Sequence, residues 1–156
     1  MSELTHVDGR GEARMVDVSA KEITARQATA SAKVLTTPEV VSLLRGEGVP
    51  KGDALAVARI AGIAAAKRTP DLIPLCHPIA IHGVTVDLSV VDDGVEVRTT
   101  VRTADRTGIE MEALTCAAVA GLNLIDMIKA VDPAARITDV QVEQKLGGKT
   151  GEWNRP

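Results

Sequence analysis

Val84-Thr85-Val86-Asp87-Leu88-Ser89-Val90-Val91-Asp92-Asp93-Gly94-Val95-Glu96-Val97-Arg98-Thr99-Thr100-Val101-Arg102 decides the fold. Val84, Val86, Leu88 and Val90 alternate with Thr85, Asp87 and Ser89, a period of two that gives each strand one covered face. Asp92-Asp93-Gly94 turns the chain, and Val95, Val97, Thr99 and Val101 alternate against Glu96, Arg98, Thr100 and Arg102. The pattern predicts a β-hairpin over 81–102. Upstream, Ala28, Ala30, Ala32 and Val34 alternate with Gln27, Thr29, Ser31 and Lys33, a strand over 26–36. Thr37-Pro38-Glu39 opens a helix, with Thr as N-cap, Pro in the first turn and an acid at the positive end of the dipole. That helix is expected to end near Gly46-Glu47-Gly48. A turn at Pro50-Lys51-Gly52-Asp53 leads into an apolar run over 54–68, read as a second helix or as one broken helix.

Thr69–Pro78 holds three prolines and reads as irregular. Downstream of the hairpin, 112–131 is a helix closed by Asp132-Pro133, and Ile137, Val140, Val142 and Lys145 suggest a last strand. Gly147-Gly148-Lys149-Thr150-Gly151 reads as a mobile tail. The resulting order, β-α(α)-β-β-α-β, is the split βαβ of an α+β ferredoxin-like sandwich, an antiparallel sheet with helices packed on one face. Residues 1–14, polar and containing Gly9 and Gly11, are expected to be a flexible N-terminal arm. Residues 15–156 form a single domain carrying a mobile Gly/Lys loop near the C-terminus.

Composition narrows the function. The chain has 156 residues, 45% hydrophobic and 25% charged, with a net charge of −3. That is globular composition, and a chain of this length buries about two-thirds of its unfolded surface without disulfides or metals. One Trp, no Tyr and no Phe leave no stacking platform for bases, and the acidic balance offers no field for a polyanion. Nucleic-acid binding is excluded on both grounds. Cys76 and Cys116 are no disulfide framework, and the first nineteen residues show no leader segment. The longest apolar run, 113–125, reads as too short to span a bilayer. A cytoplasmic protein without membrane contact is expected.

Both long helices are apolar on nearly every side. Ala56, Val57, Ile60, Ile63 and Ala64 circle one; Leu114, Val119, Leu122, Leu124, Ile125 and Ile128 circle the other. Either the two pack closely through their alanines or a second subunit covers them, and the width of the apolar surface favours oligomerisation.

Four segments put polar groups where the pattern is apolar. In Asp71–Pro78, Pro74 and Pro78 bias Ile73 and His77 to extended backbone, so Leu75-Cys76-His77 is stiff. It is either a buried turn or a surface offering backbone groups to a ligand. Adjacent extended residues point apart, which argues against a Cys76/His77 nucleophile pair. His6 and His82 show no zinc-ligand spacing with the cysteines. Glu110 and Glu112 face one side only on extended backbone; in a helix they diverge by about 200°. They are either a solvated helix start or a pair with a function. Asp126 and Lys129 share a helix face at i, i+3, and an acid there sits badly by the negative end of the dipole. If partly buried, such an acid suits proton transfer; otherwise it is a surface ion pair. Gly147-Gly148-Lys149-Thr150 is no phosphate-binding P-loop, since Glu143 stands where its first glycine belongs. With Lys145, Arg26 and Lys51 it leaves several cations at segment ends. These features suit either a lyase or isomerase for an anionic metabolite, or a ligand-sensing module that binds without reaction.

Together, Met15-Val16-Asp17-Val18-Ser19, Lys51-Gly52-Asp53, Ala58–Ile63, Ala65–Thr69, Asp71–Pro78, Gly108–Thr115 (GIEMEALT), Asp126–Ala130 and Gly147–Gly151 (GGKTG) resemble the MoaC family of molybdenum cofactor biosynthesis. Ile128 and Leu146 depart from the residues common in that family. The resemblance implies a phosphorus–oxygen lyase that acts after a radical SAM GTP cyclase. It converts 3′,8-cyclo-7,8-dihydro-GTP into cyclic pyranopterin monophosphate and releases diphosphate. It implies Asp126, Lys51 and Lys129 as the acid–base set, and Leu75, Cys76, His77, Met111 and Glu112 in contact with substrate. Glu110 would lie adjacent, and Arg26, Lys145 and Lys149 near the triphosphate. No cofactor and no resident metal are implied, although Mg²⁺ can accompany the triphosphate. The implied assembly is a homohexamer, a trimer of dimers with sites between subunits.

Overall fold

A computed structural model describes residues 3–47 and 53–156. The predicted hairpin is present as β2 (Gly83–Val91) and β3 (Gly94–Asp105), with Val91 paired to Gly94. β1 (Thr24–Leu35) pairs antiparallel with β3 along its whole length and, on its other side, with β4 (Arg136–Leu146). A two-residue strand, β5 (Trp153–Asn154), adds to the outer edge of β4, giving the order β2-β3-β1-β4-β5. The first four strands are the expected α+β ferredoxin-like sheet; β5 is an addition. The Gly/Lys segment is therefore a loop between two paired strands, because the chain returns to set Trp153 opposite Lys145.

Helix α1 (Pro38–Ser42) starts at Thr37, whose hydroxyl accepts from Val40 N, and passes into a π-turn over Leu43–Glu47. The expected turn at 50–53, with Lys51, lies outside the described residues except for Asp53. Asp53 caps α2 (Ala54–Ala66) by accepting from Ala56 N at 3.0 Å. The prolines do not abolish regular structure over 69–78: Pro70 stands in the first turn of a one-turn helix, α3 (Thr69–Leu72), where a missing N–H costs nothing. The last helix, α4 (Glu110–Ile128), starts two residues earlier and stops three earlier than the pattern suggested. Both Glu110 and Glu112 are thus in its first turn, not on an extended approach to it.

The inward series of β1 (Ala28, Ala30, Ala32, Val34) meets Ala113, Cys116, Ala117, Ala120 and Leu124 of α4, all buried. α2 lies against α4 through small residues. A Cβ on Gly62 would stand 3.0 Å from Cys116 O and 3.2 Å from Ala120 Cβ, so a larger residue would force the helices apart. α4 as a whole, at 19 residues, is longer than the apolar run suggested, and its length and composition match a membrane span. Its inner side is packed on β1, β3, β4 and α2, which is the setting of a core helix. Its outer side and that of α2 expose Val57, Ile60 and Leu122.

Candidate active site

Arg26 continues the inward series of β1 one step past the core, where α4 begins. Its Nε donates to Asp105 O at 3.2 Å and its Nη2 to Arg106 O at 3.3 Å, which fixes the guanidinium at the end of the sheet. Lys145 pairs with Ala28 and so faces the same way, reaching Glu110 Oε1 at 3.4 Å. The loop after β4 closes this corner. Gly147 and Gly148 are left-handed (φ +87° and +77°), and a Cβ on either would stand 2.2 Å from Ala25 O or 2.3 Å from Arg26 Nη1. Only glycine lets the loop lie that close, and it carries Lys149 to the same rim.

These residues line a cavity of about 760 Å³ with Lys21, Glu22, Thr24 and Gly108. Four cations (Lys21, Arg26, Lys145, Lys149) face two carboxylates (Glu22, Glu110), so its potential favours an anion. A second cavity of about 760 Å³ adjoins it, sharing Thr5, Lys21, Gly108 and Glu110. Its walls are mainly apolar: Val16, Val18, Ile73, Pro74, Leu75 and Met111, with Cys76 and His77.

Ile73 is extended (φ −112°, ψ 101°), as its proline neighbour requires, but the chain turns at Pro74 and Leu75. Cys76 N donates to Ile73 O at 3.1 Å and closes a turn through Pro74 and Leu75. The side chains of Cys76 and His77 still part company. Cys76 Sγ donates to Glu112 Oε1 at 3.7 Å, whereas His77 Nε2 lies 2.5 Å from Val16 O. A carbonyl only accepts, so His77 donates Nε2–H to it. Burial, with Glu112 nearby, pushes the Cys76 thiol up to about 11, so it is a neutral donor at physiological pH and not a thiolate nucleophile.

Glu112 is 1% exposed, and its Oε2 has no hydrogen-bond partner among the described residues. Burial raises its pKa above the ordinary 4.5, opposed by its own backbone N–H and by the Cys76 thiol. In the unfolded chain the same carboxyl ionises near the ordinary value, so the native state binds the extra proton. Stability is then greatest below pH 4.5 on this account and falls as pH rises through the native pKa. Glu112→Gln should remove that loss. Urea midpoints taken from pH 4 to 8 should decline less in the variant than in the parent, and parallel profiles would show that Glu112 ionises freely.

Of the twelve residues singled out in the sequence, nine meet here: Arg26, Leu75, Cys76, His77, Glu110, Met111, Glu112, Lys145 and Lys149. Lys51 lies outside the described residues. Asp126 and Lys129 do not join them. They form an exposed ion pair at 2.6 Å at the far end of α4, sixteen residues and about 24 Å from Glu110. Lys21 and Thr5 belong to the walls yet carry no signal in the sequence pattern, being isolated polar residues in a polar segment. Val16 stands in the Met15–Ser19 motif, but the group it presents to His77 is its backbone carbonyl. Among the described residues no three His, Cys, Asp or Glu side chains converge to hold a metal.

Comparison with known proteins shows the family of the chain. The MoaC family model matches residues 15–148. A cyclic pyranopterin monophosphate synthase of Streptomyces coelicolor is 69% identical over 152 residues, 97% of this chain and 89% of that protein. A protein of the same name from Nocardioides sp. is 66% identical over 156 residues, covering 98% and 96% of the two chains. The cyclic pyranopterin monophosphate synthase 2 of Mycobacterium tuberculosis is 56% identical over 153 residues, covering 98% and 92%. With the family model spanning most of its length and relatives this similar, the chain belongs to the MoaC family.

Proposed function

We propose that the protein is a cyclic pyranopterin monophosphate synthase, a lyase of molybdenum cofactor biosynthesis acting in the cytoplasm. It converts 3′,8-cyclo-7,8-dihydro-GTP into cyclic pyranopterin monophosphate and diphosphate. The observation that carries this reading is the pairing of a cationic cavity with an apolar one across Gly108 and Glu110. A nucleotide-derived triphosphate has the same two halves.

In this reading Arg26, Lys145 and Lys149 hold the phosphates, and Leu75, Cys76, His77 and Met111 hold the ring system. Holding the chain in line with a sugar hydroxyl lowers the barrier to attack on the α-phosphorus. One P–O bond forms to close the cyclic phosphate, one breaks to release diphosphate, and the hydroxyl proton passes to a base. Ring opening and rebuilding need further proton transfers, the task assigned to Lys51, Asp126 and Lys129. No redox cofactor is required, and Mg²⁺ would travel with the triphosphate. A radical SAM cyclase would supply the substrate. Because Asp126 and Lys129 stand about 24 Å from Glu110, the complete site draws on two subunits of a homohexamer, each α4 giving its start to one site and its end to another.

Incubation of the purified protein with the cyclic dihydro-GTP tests the reading. Diphosphate and pyranopterin should appear together and in equal amounts. Substrate returned unchanged would make the protein a binding module instead.

A further inference from the structure

Gly108 is not in the left-handed region, and its backbone makes no demand for glycine. What fills the space of the missing Cβ is the Glu110 carboxylate. A Cβ built on Gly108 would stand 2.0 Å from Glu110 Oε2 and 2.7 Å from both Cδ and Oε1. The side chain is thus folded back over the glycine, and in that position its other oxygen reaches Lys145 Nζ at 3.4 Å. Both partners are partly exposed, at 37% for Lys145 and 29% for Glu110, so water and ligand can reach the pair. Glu110 lines both cavities, and Lys145 lines the cationic one.

We propose that Gly108 and Glu110 form a carboxylate latch on Lys145: the glycine stores the Glu110 carboxylate where it competes with a phosphate oxygen for the lysine, and an incoming polyphosphate displaces it. The proposal rests on the reading of the cationic cavity as the phosphate half of the site. Glu110 accordingly has a positioning role: it withholds Lys145 until a more strongly charged acceptor arrives. Displacement frees the carboxylate to swing toward the apolar cavity that it also lines. The exchange is one of ionic contacts only, with no covalent step and no net proton transfer.

Two variants separate this latch from simple charge repulsion. Glu110→Gln removes the competitor together with its charge. Gly108→Ala keeps the charge but fills the storage space, and the atom it meets is the end of a flexible side chain, which can rotate away. The probe is inorganic diphosphate, titrated calorimetrically into the intact protein. A partly exposed ion pair of this kind is worth less than about 1 kcal/mol, so Gly108→Ala should bind roughly two- to fivefold tighter than the parent. Glu110→Gln should bind at least as tightly as Gly108→Ala. In a Lys145→Ala background the Gly108→Ala gain should vanish, because the latch then has nothing to hold. Diphosphate binding by the parent with no gain in Gly108→Ala would overturn the latch and leave the phosphate site standing, as would a gain that survives in Lys145→Ala. Should Gly108→Ala not fold, the Glu110→Gln gain measured with and without Lys145 decides the question alone. Absence of diphosphate binding in every form would remove the phosphate site and the latch with it.

Discussion

Glu112→Ala and Asp126→Asn proteins, each inactive alone, should recover about a quarter of full activity when mixed and allowed to exchange subunits. The expectation follows from α4. Glu112 and Asp126 are fourteen positions apart on one unbroken helix, which places them about 21 Å apart along its axis. A bent nucleotide cannot touch both with its reacting atoms. If both act on one substrate, the start of one helix must meet the end of its neighbour, and the exposed Val57, Ile60 and Leu122 supply an apolar surface for such a contact. A mixed dimer then has one site with both defects and one with neither. Random pairing makes half the dimers mixed, so a quarter of all sites are intact. Exchange is verified separately by pull-down of tagged subunits. Proven exchange without recovered activity would place both residues in one subunit's site, or remove one of them from it.

Asp126→Asn and Lys129→Ala should each lower turnover roughly a hundredfold or more while leaving the thermal midpoint nearly unchanged. The two effects separate because the side chains are half exposed, at 50% and 57%, and an exposed pair contributes little to stability. A structural role alone would move both quantities by small amounts. Single-turnover experiments would show which half of the reaction fails, since loss of proton transfer in ring opening leaves starting material and loss of cyclisation leaves an intermediate. Wild-type turnover by Asp126→Asn would take that residue out of the mechanism.

The sheet was legible in the sequence because alternation is a local signal that a two-faced strand cannot hide. Val84–Arg102 and Ala28–Val34 carry it without interruption. Helix ends were less legible. α4 begins at Glu110 without any side-chain cap on Ile109, so no Ser, Thr, Asp or Asn marks its start. The Pro70 turn was hidden because proline both breaks helices and opens them, and only the surrounding packing decides which. Most of the candidate site was visible as charge interrupting apolar runs, and the family motifs supplied its grouping. Its walls from the N-terminal segment were visible only in part: the Met15–Ser19 motif holds Val16 and Val18, but nothing marked Thr5 or Lys21. His77 meets a carbonyl of Val16, and a backbone contact between residues 61 positions apart leaves no trace in side-chain pattern.

The return of the chain into β5 has an optical consequence. Trp153 is the sole tryptophan of a protein with no tyrosine, so its near-ultraviolet emission comes from one indole. That indole sits opposite Lys145 in the strand pair, with the Arg155 guanidinium 5.8 Å from its ring centre. Any shift of the Lys145 strand, or of the Gly147–Gly151 loop that joins it to Trp153, alters the surroundings of that single fluorophore against a dark background. The protein carries its own spectroscopic reporter on the strand paired with Lys145 of the cationic cavity.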